Sequence, residues 1–218
     1  IVLKSIKKKI SCYIAITRNN RPIGWLLLFI PCLYGIISSS IYSQQMIDIK
    51  IIVLFFLGSI LMRSAGCIFN DIIDRKIDAK VERTKNRPLA NESMSLPEAI
   101  FLLILLLFFS LCILITLNTI TIFIGLSSLI LIVIYPFMKR VTHWPQLFLG
   151  ITFNWGVIMG WTSVSESLST ITFLIYFSAI FWTLGYDTVY GYQDIVDDKI
   201  IGIKSTACLL YTSDAADE

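Results

Sequence analysis

Histidine occurs once in these 218 residues, at His143. A single imidazole excludes a histidine-ligated metal centre and a histidine-based triad as the organising chemistry. The five cysteines (Cys12, Cys32, Cys67, Cys112, Cys208) include no C-x-x-C pair and lie mostly within apolar runs. They read as small buried hydrophobes in a reduced setting rather than as disulfide or metal sites. Charge is also scarce, at 15% of residues, and the basic residues are spread over short segments. No domain carries the basic face that nucleic-acid binding requires. A barrel is excluded as well, because no segments of about ten residues alternate apolar and polar.

What the chain has instead is apolar length. Hydrophobic residues make up 56% of it and the mean hydropathy is +0.77. Several runs approach the ~20 residues that cross a ~30 Å hydrocarbon core. The expected fold is therefore all-α, a polytopic membrane helical bundle. Spans are predicted over 23–42, 49–70, 100–117, 120–138, 147–162 and 171–190. Pro31 lies inside the first, Ser95 with Pro97 marks the start of the third, and Asn118 turns the chain into the fourth. Before the spans, Lys4, Lys7, Lys8 and Lys9 interleave with Ile1, Val2, Leu3, Ile6, Ile10 and Ile14, the pattern of a helix lying on a membrane surface. Lysines and arginines recur on every second side of the spans, at 4–21, 75–87, 139–140 and 199–204, which predicts a cytoplasmic N-terminus. Trp144, Trp155 and Trp161 are expected at the membrane interfaces. The chain starts at Ile1 without a methionine, and Cys208–Glu218 resembles a translated sequencing adapter. The expectation is a native domain over 1–207, incomplete at its C-terminus, followed by a non-native tail over 208–218.

Two clusters of acid residues stand out. In the first, Arg63, Cys67, Asn70, Asp74 and Asp78 fall along one helical face at the end of an apolar run, with Asp71 beside them. Such side chains are costly at membrane depth and persist there mainly around a cavity. Asn70 and Asp74 offer hard oxygen ligands one turn apart, the type that suits Mg²⁺. Basic residues follow, from Arg75 to Arg87, and could hold a phosphate. In the second cluster Asp187, Asp194 and Asp198 are spaced to share a helical face, with Tyr190 between them and Lys199 and Lys204 after them. Both clusters fall on the predicted cytoplasmic side. Opposed aspartates with Mg²⁺, and lysine or arginine beside them, would suit a diphosphate whose C–O bond breaks, while the lipid-facing bundle accommodates an apolar tail. Exclusion of water would protect the allylic cation that results.

Asn70-Asp71-x-x-Asp74-x-x-x-Asp78 paired with Asp194-x-x-x-Asp198 resembles the aspartate-rich motifs of the UbiA membrane prenyltransferase family, most closely its 4-hydroxybenzoate polyprenyltransferases. The resemblance extends through Arg21-Pro-Ile-Gly24, Leu61-Met-Arg-Ser-Ala-Gly-Cys67, Arg83-Thr-x-x-Arg-Pro-Leu89, Tyr135-Pro-Phe-Met-Lys-Arg140, Asp187-Thr-x-Tyr190 and Gly202-Ile-Lys-Ser-Thr206. It implies a nine-helix bundle, of which this chain would supply about six, in a bacterial or mitochondrial inner membrane. It implies that Asn70 and Asp74 bind one Mg²⁺ and that Asp194 and Asp198 bind another. Arg83, Lys139 and Lys204 become candidates for the diphosphate, and Arg140 and Arg63 for the acceptor's carboxylate. Arg63 retains a second reading, as the partner of an aspartate on a neighbouring helix. Asp71, Asp78 and Asp187 match acidic family positions, and Asp187 or Tyr190 would orient the phenol. The implied reaction is transfer of a polyprenyl group from polyprenyl diphosphate to 4-hydroxybenzoate, ortho to the hydroxyl, toward ubiquinone. Homogentisate or a naphthoate are the alternative acceptors. The rival from another class is a cation-coupled transporter, which predicts polar groups and broken helices near the bilayer midplane.

Overall fold

The computed structural model describes residues 2–82, 84–195 and 205–211, excepting the side chains of 2–8, 139, 140, 194 and 211. The described elements are α1 (Val2–Thr17), α2 (Ile23–Tyr42), α3 (Ile49–Asp78), α4 (Leu96–Leu114), α5 (Thr119–Val141), α6 (Pro145–Phe153), α7 (Trp155–Ser165), α8 (Thr170–Gly191), a 3₁₀ turn (Tyr192–Asp194) and α9 (Thr206–Tyr211). There is no strand among the described residues. Among the described residues five segments are long and apolar enough to span a bilayer: α2, α3, α4, most of α5, and α6 with α7 taken together; the sixth expected span, 171–190, forms α8 and is not among them. The outward surface agrees with lipid as solvent. On α4 and its cap, Phe101, Ile104, Phe108, Leu111 and Ile115 recur at three- and four-residue steps and all are exposed. A continuous apolar stripe of that kind would drive association in water and is at rest in hydrocarbon. The protein is a multi-pass integral membrane protein.

Contacts divide the chain into two compact units, residues 1–30 with 48–117 and residues 31–47 with 118–218, so that α2 changes unit at Pro31. In the first unit α1 and α4 both pack on α3. Ile16, Ile68, Leu89, Met94 and Ala99 form its core, with Tyr13, Ile72 and Leu103 packed against them. Trp25 and Phe29 meet Phe56 edge-on, each at 5.3 Å. Asp48 caps α3 and Ser95 caps α4, each side-chain oxygen accepting a backbone N–H of the first turn. Helix α3 runs eight residues past the apolar span expected to end at Asn70, and these turns, helical as the spacing of residues 63–78 predicts, carry Asp71, Asp74 and Asp78, all buried. Tertiary partners on those carboxylates let the helix continue where hydropathy alone would stop it.

The second unit packs α6 and α7 against α5 and α8 around Val157, Ile158, Tyr176 and Ile180. The span expected over 147–162 is broken at Asn154. This buried amide donates to the carbonyls of Gly150 and Ala179, at 2.8 and 3.1 Å, and to Thr183 Oγ1 at 2.8 Å. The break is thereby satisfied inside protein, as a membrane core requires. Trp161 is not an interfacial residue: it is fully buried, stacks at a tilt on Tyr42 at 5.4 Å, and its carbonyl accepts from Ser39. Nor do Asp187 and Asp194 share one α-helical face, because α8 stops at Gly191 and the next residues wind into a tighter 3₁₀ turn. Asp198 lies outside the described residues.

Helices α2 and α7 cross in near backbone contact. A Cβ on Gly35 would stand 2.2 Å from the Val157 carbonyl oxygen, and one on Gly160 would stand 2.3 Å from that of Cys32. Neither neighbour can rotate away. Gly35→Ala and Gly160→Ala should each cost on the order of 1–3 kcal/mol, lowering the thermal midpoint of nanodisc-embedded protein. Gly185→Ala, whose Cβ would enter open space, should leave that midpoint unchanged or raise it.

Candidate active site

The C-terminal turns of α3 gather the charge of the first unit. Asp71, Asp74 and Asp78 lie within two turns and are 1%, 4% and 7% exposed. Three carboxylates buried this closely on one helix would repel one another and each would forfeit its hydration. The fold answers with arginines from elsewhere in the chain. Arg18, just after α1, places Nη2 2.6 Å from Asp71 Oδ1. Arg87, in the α3–α4 segment, places Nη1 3.2 Å from the same oxygen and 2.7 Å from Asp78 Oδ2. Burial works against the charge on Arg18, and the nearby Asp71, with Cys67 and Asp78, more than offsets it. Its guanidinium therefore stays protonated.

The segment after α3 is folded back on itself rather than loose. The Thr84 hydroxyl donates to the Asp78 carbonyl at 3.0 Å, and the Lys85 and Arg87 amides donate to Val81 and Thr84. Leu89 and Met94 anchor the segment in the core beneath. Helix α1 is tied to the start of α4 by Tyr13, which donates to Glu98 Oε1 at 2.6 Å. That bond holds the phenolic proton and pushes the Tyr13 pKa up.

Arg63 and Asn70 are half-buried on α3, and Gly66 between them faces open space. On the same face Cys67 and Asp74 are buried, at 0% and 4% exposure. Gly24 of α2 makes room for the Arg63 guanidinium: a Cβ there would stand 2.8 Å from Nε. In the second unit Asp187 is half-buried near the end of α8 and Tyr190 is exposed. Lys139 and Arg140 lie in the last turn of α5. Arg83, Asp198 and Lys204 lie outside the described residues, as do the side chains of Lys139, Arg140 and Asp194.

The structure therefore brings Asp71, Asp74 and Asp78 together and adds two arginines to them. Arg87 was one of several basic candidates for a phosphate and is instead engaged by two aspartates. Arg18 carried no motif signal, since its partner lies 53 residues away. A second set of ties also lacked one. Buried Gln146 accepts from the Thr206 amide at 3.1 Å, and the Thr206 and Thr188 hydroxyls meet at 2.7 Å. These bonds tie α9 to α6 and to α8. Among the described residues no group of three or more His, Cys, Asp or Glu side chains is placed to hold a metal. The oxygen pair of Asn70 and buried Asp74 matches the sparse protein ligation typical of Mg²⁺, which takes one or two carboxylates and completes its shell with water and substrate oxygens.

Residues 28–217 match the sequence model described as the UbiA prenyltransferase family. A Vibrio atlanticus protein named 4-hydroxybenzoate octaprenyltransferase is 46% identical over 201 residues, covering 92% of this chain and 70% of that protein. A Caenorhabditis elegans mitochondrial 4-hydroxybenzoate polyprenyltransferase is 47% identical over 199 residues, covering 91% of this chain and 56% of that one. The chain thus spans a little over half the length of its mitochondrial relative. Among solved structures, an apo UbiA homologue from Aeropyrum pernix K1 superposes with a TM-score of 0.72 at 28% identity, over 84% of this chain and 69% of that one. A UbiA homologue from Archaeoglobus fulgidus bound to GPP and Mg²⁺ has a TM-score of 0.71 at 20% identity, over 91% and 69%, a likeness of fold.

Removing Arg87 tests the charge balance of the α3 terminus. Arg87→Ala should destabilise the protein by on the order of 2–4 kcal/mol, because Asp78 stays buried without its cation. The lower part of that range applies if water reaches the gap, since Arg87 is itself 26% exposed. Arg87→Ala with Asp78→Asn should recover more than half of the loss in a denaturant titration. Simple additivity of the two changes would contradict the pairing.

Proposed function

This chain belongs to the UbiA prenyltransferase family, and from that premise we propose that its protein transfers a polyprenyl group from polyprenyl diphosphate to 4-hydroxybenzoate. The bond broken joins the prenyl C1 to the diphosphate oxygen. The bond formed joins C1 to the ring carbon ortho to the hydroxyl, with the ring proton lost and diphosphate released. One observation supports the reading above the others: Asn70 and buried Asp74 lie one turn apart on one face of α3, beside the arginine-paired Asp71 and Asp78.

In this reading Asn70 and Asp74 hold one Mg²⁺, and Asp194 and Asp198 hold the second. Bound there, the metal would neutralise the diphosphate and stabilise the charge it gains on leaving. Arg83, Lys139 and Lys204 contribute cationic charge to the same anion. Arg63 on α3 offers a planar fork to the carboxylate of the acceptor, with Arg140 as the alternative. Asp187 or Tyr190 orients the phenol. The lipid-like surroundings accept the prenyl tail and keep water from the cation. The basic residues flanking the spans support a cytoplasmic or matrix position for these groups.

The test is release of diphosphate by the full-length protein given a prenyl diphosphate, 4-hydroxybenzoate and Mg²⁺, with mass analysis of the product. EDTA should abolish turnover and Mg²⁺ should restore it. Asp74→Asn should lower kcat/KM by about 10²-fold or more, the scale of losing one charge-stabilising group. Prenylation of homogentisate or a naphthoate in preference to 4-hydroxybenzoate would overturn the acceptor, and the absence of diphosphate release would overturn the reading.

A further inference from the structure

We infer that Arg18 is a positioning residue, which by clamping Asp71 fixes the rotation of the α3 end that presents Asn70 and Asp74. The inference rests on the reading that those two residues hold the metal. Its geometric basis is independent of that reading. The turn after α1 docks on α3 along a single stripe. Ser64 Oγ lies 3.2 Å from Asn19 Oδ1, Arg18 Nη1 lies 3.7 Å from Cys67 Sγ, and Arg18 Nη2 lies 2.6 Å from Asp71 Oδ1. Residues 64, 67 and 71 are spaced at i, i+3 and i+7, so one short turn grips two turns of helix.

The grip is held firmly at its origin. Arg18 has φ of 54°, in the left-handed region, where a residue with a β-carbon stays only when its surroundings hold it. The Arg21 amide donates to the Arg18 carbonyl at 3.0 Å and closes the turn. At the far end, Asp71 Oδ1 accepts from both Arg18 and Arg87. The positive charge of two guanidinium groups at that oxygen disfavours a metal ion there, so in this inference Asp71 acts on the metal through the helix and not as a ligand.

Helical geometry carries the effect to its neighbours. At about 100° per residue, Asn70 and Asp74 project within about 40° of each other, both to one side of Asp71. A clamp on Asp71 therefore aims that pair as a unit. Losing the clamp lets the last turns of α3 rotate and separates the two donors from the direction in which they converge.

The probe is Mn²⁺ binding to full-length protein in nanodiscs, read by electron paramagnetic resonance with no substrate present. Arg18→Ala should weaken binding by about 10–100-fold, the range for groups that orient metal ligands. Arg18→Lys, which keeps the charge and loses the fork, should lose less. Asp71→Asn should weaken binding in the native background and add little to Arg18→Ala. Wild-type affinity in Arg18→Ala overturns the inference. So does an equal loss from Asp71→Asn in both backgrounds, which would make Asp71 a ligand. If Arg18→Ala does not fold, the Arg18→Lys background serves in its place: Asp71→Asn with Arg18→Lys should bind as Asp71→Asn alone, and a further loss overturns the inference. Asp74→Asn separates the two levels, since undiminished binding there removes the metal reading itself. Loss in Asp74→Asn alongside wild-type binding in Arg18→Ala removes only the role of Arg18.

Discussion

Carboxylates buried at the end of a membrane helix are the constraint from which the rest of the first unit follows. Asp71, Asp74 and Asp78 are almost wholly withdrawn from solvent, and a helix carrying three such groups without counter-charge would neutralise them or unwind. Arg18 and Arg87 come from opposite sides in sequence and meet at Asp71. Once that junction exists, α3 can run to Asp78. The turn after α1 is then seated against α3, and the segment after α3 is drawn back over its end. The turn after α1, the end of α3 and the segment between α3 and α4 are thus joined by a few charge-assisted hydrogen bonds.

The second unit meets the same demand by neutral means. Among its described residues, buried hydroxyls and amides hold helices in place. Asn154 fills the gap between α6 and α7 from α8's side, and Asn118 donates to Thr162 while capping α5. Gln146, Thr188 and Thr206 tie the return of the chain after the second acidic motif. Where side chains are absent, at Gly35 and Gly160, helix backbones approach to contact distance, the close packing that small residues allow in membranes.

Much of this was legible in the sequence, and the exceptions have physical reasons. The helices followed from apolar run length, and the starts of α4 and α5 from Ser95 and Asn118, because those signals are local. The acidic face of α3 was legible because helical periodicity is also local. The arginines that pair with that face were not, since Arg18 and Arg87 are brought to it by tertiary folding. The break at Asn154 leaves no mark on hydropathy, because one amide among apolar residues changes the average little. Trp161 was misread because tryptophan suits both an interface and a core, and only its contact with Tyr42 decides between them. The second acidic set was read as one helical face, an extrapolation that Gly191 and the 3₁₀ turn interrupt.

The account depends on a divalent ion shared between Asn70, Asp74 and a prenyl diphosphate. The most direct measurement is ³¹P electron–nuclear double resonance on full-length protein loaded with Mn²⁺ and a non-reactive prenyl thiodiphosphate. The account predicts phosphorus couplings of directly ligated diphosphate, lost when Asp74 is replaced by asparagine. Phosphorus couplings unaltered by that replacement, or none in the native protein, would contradict it.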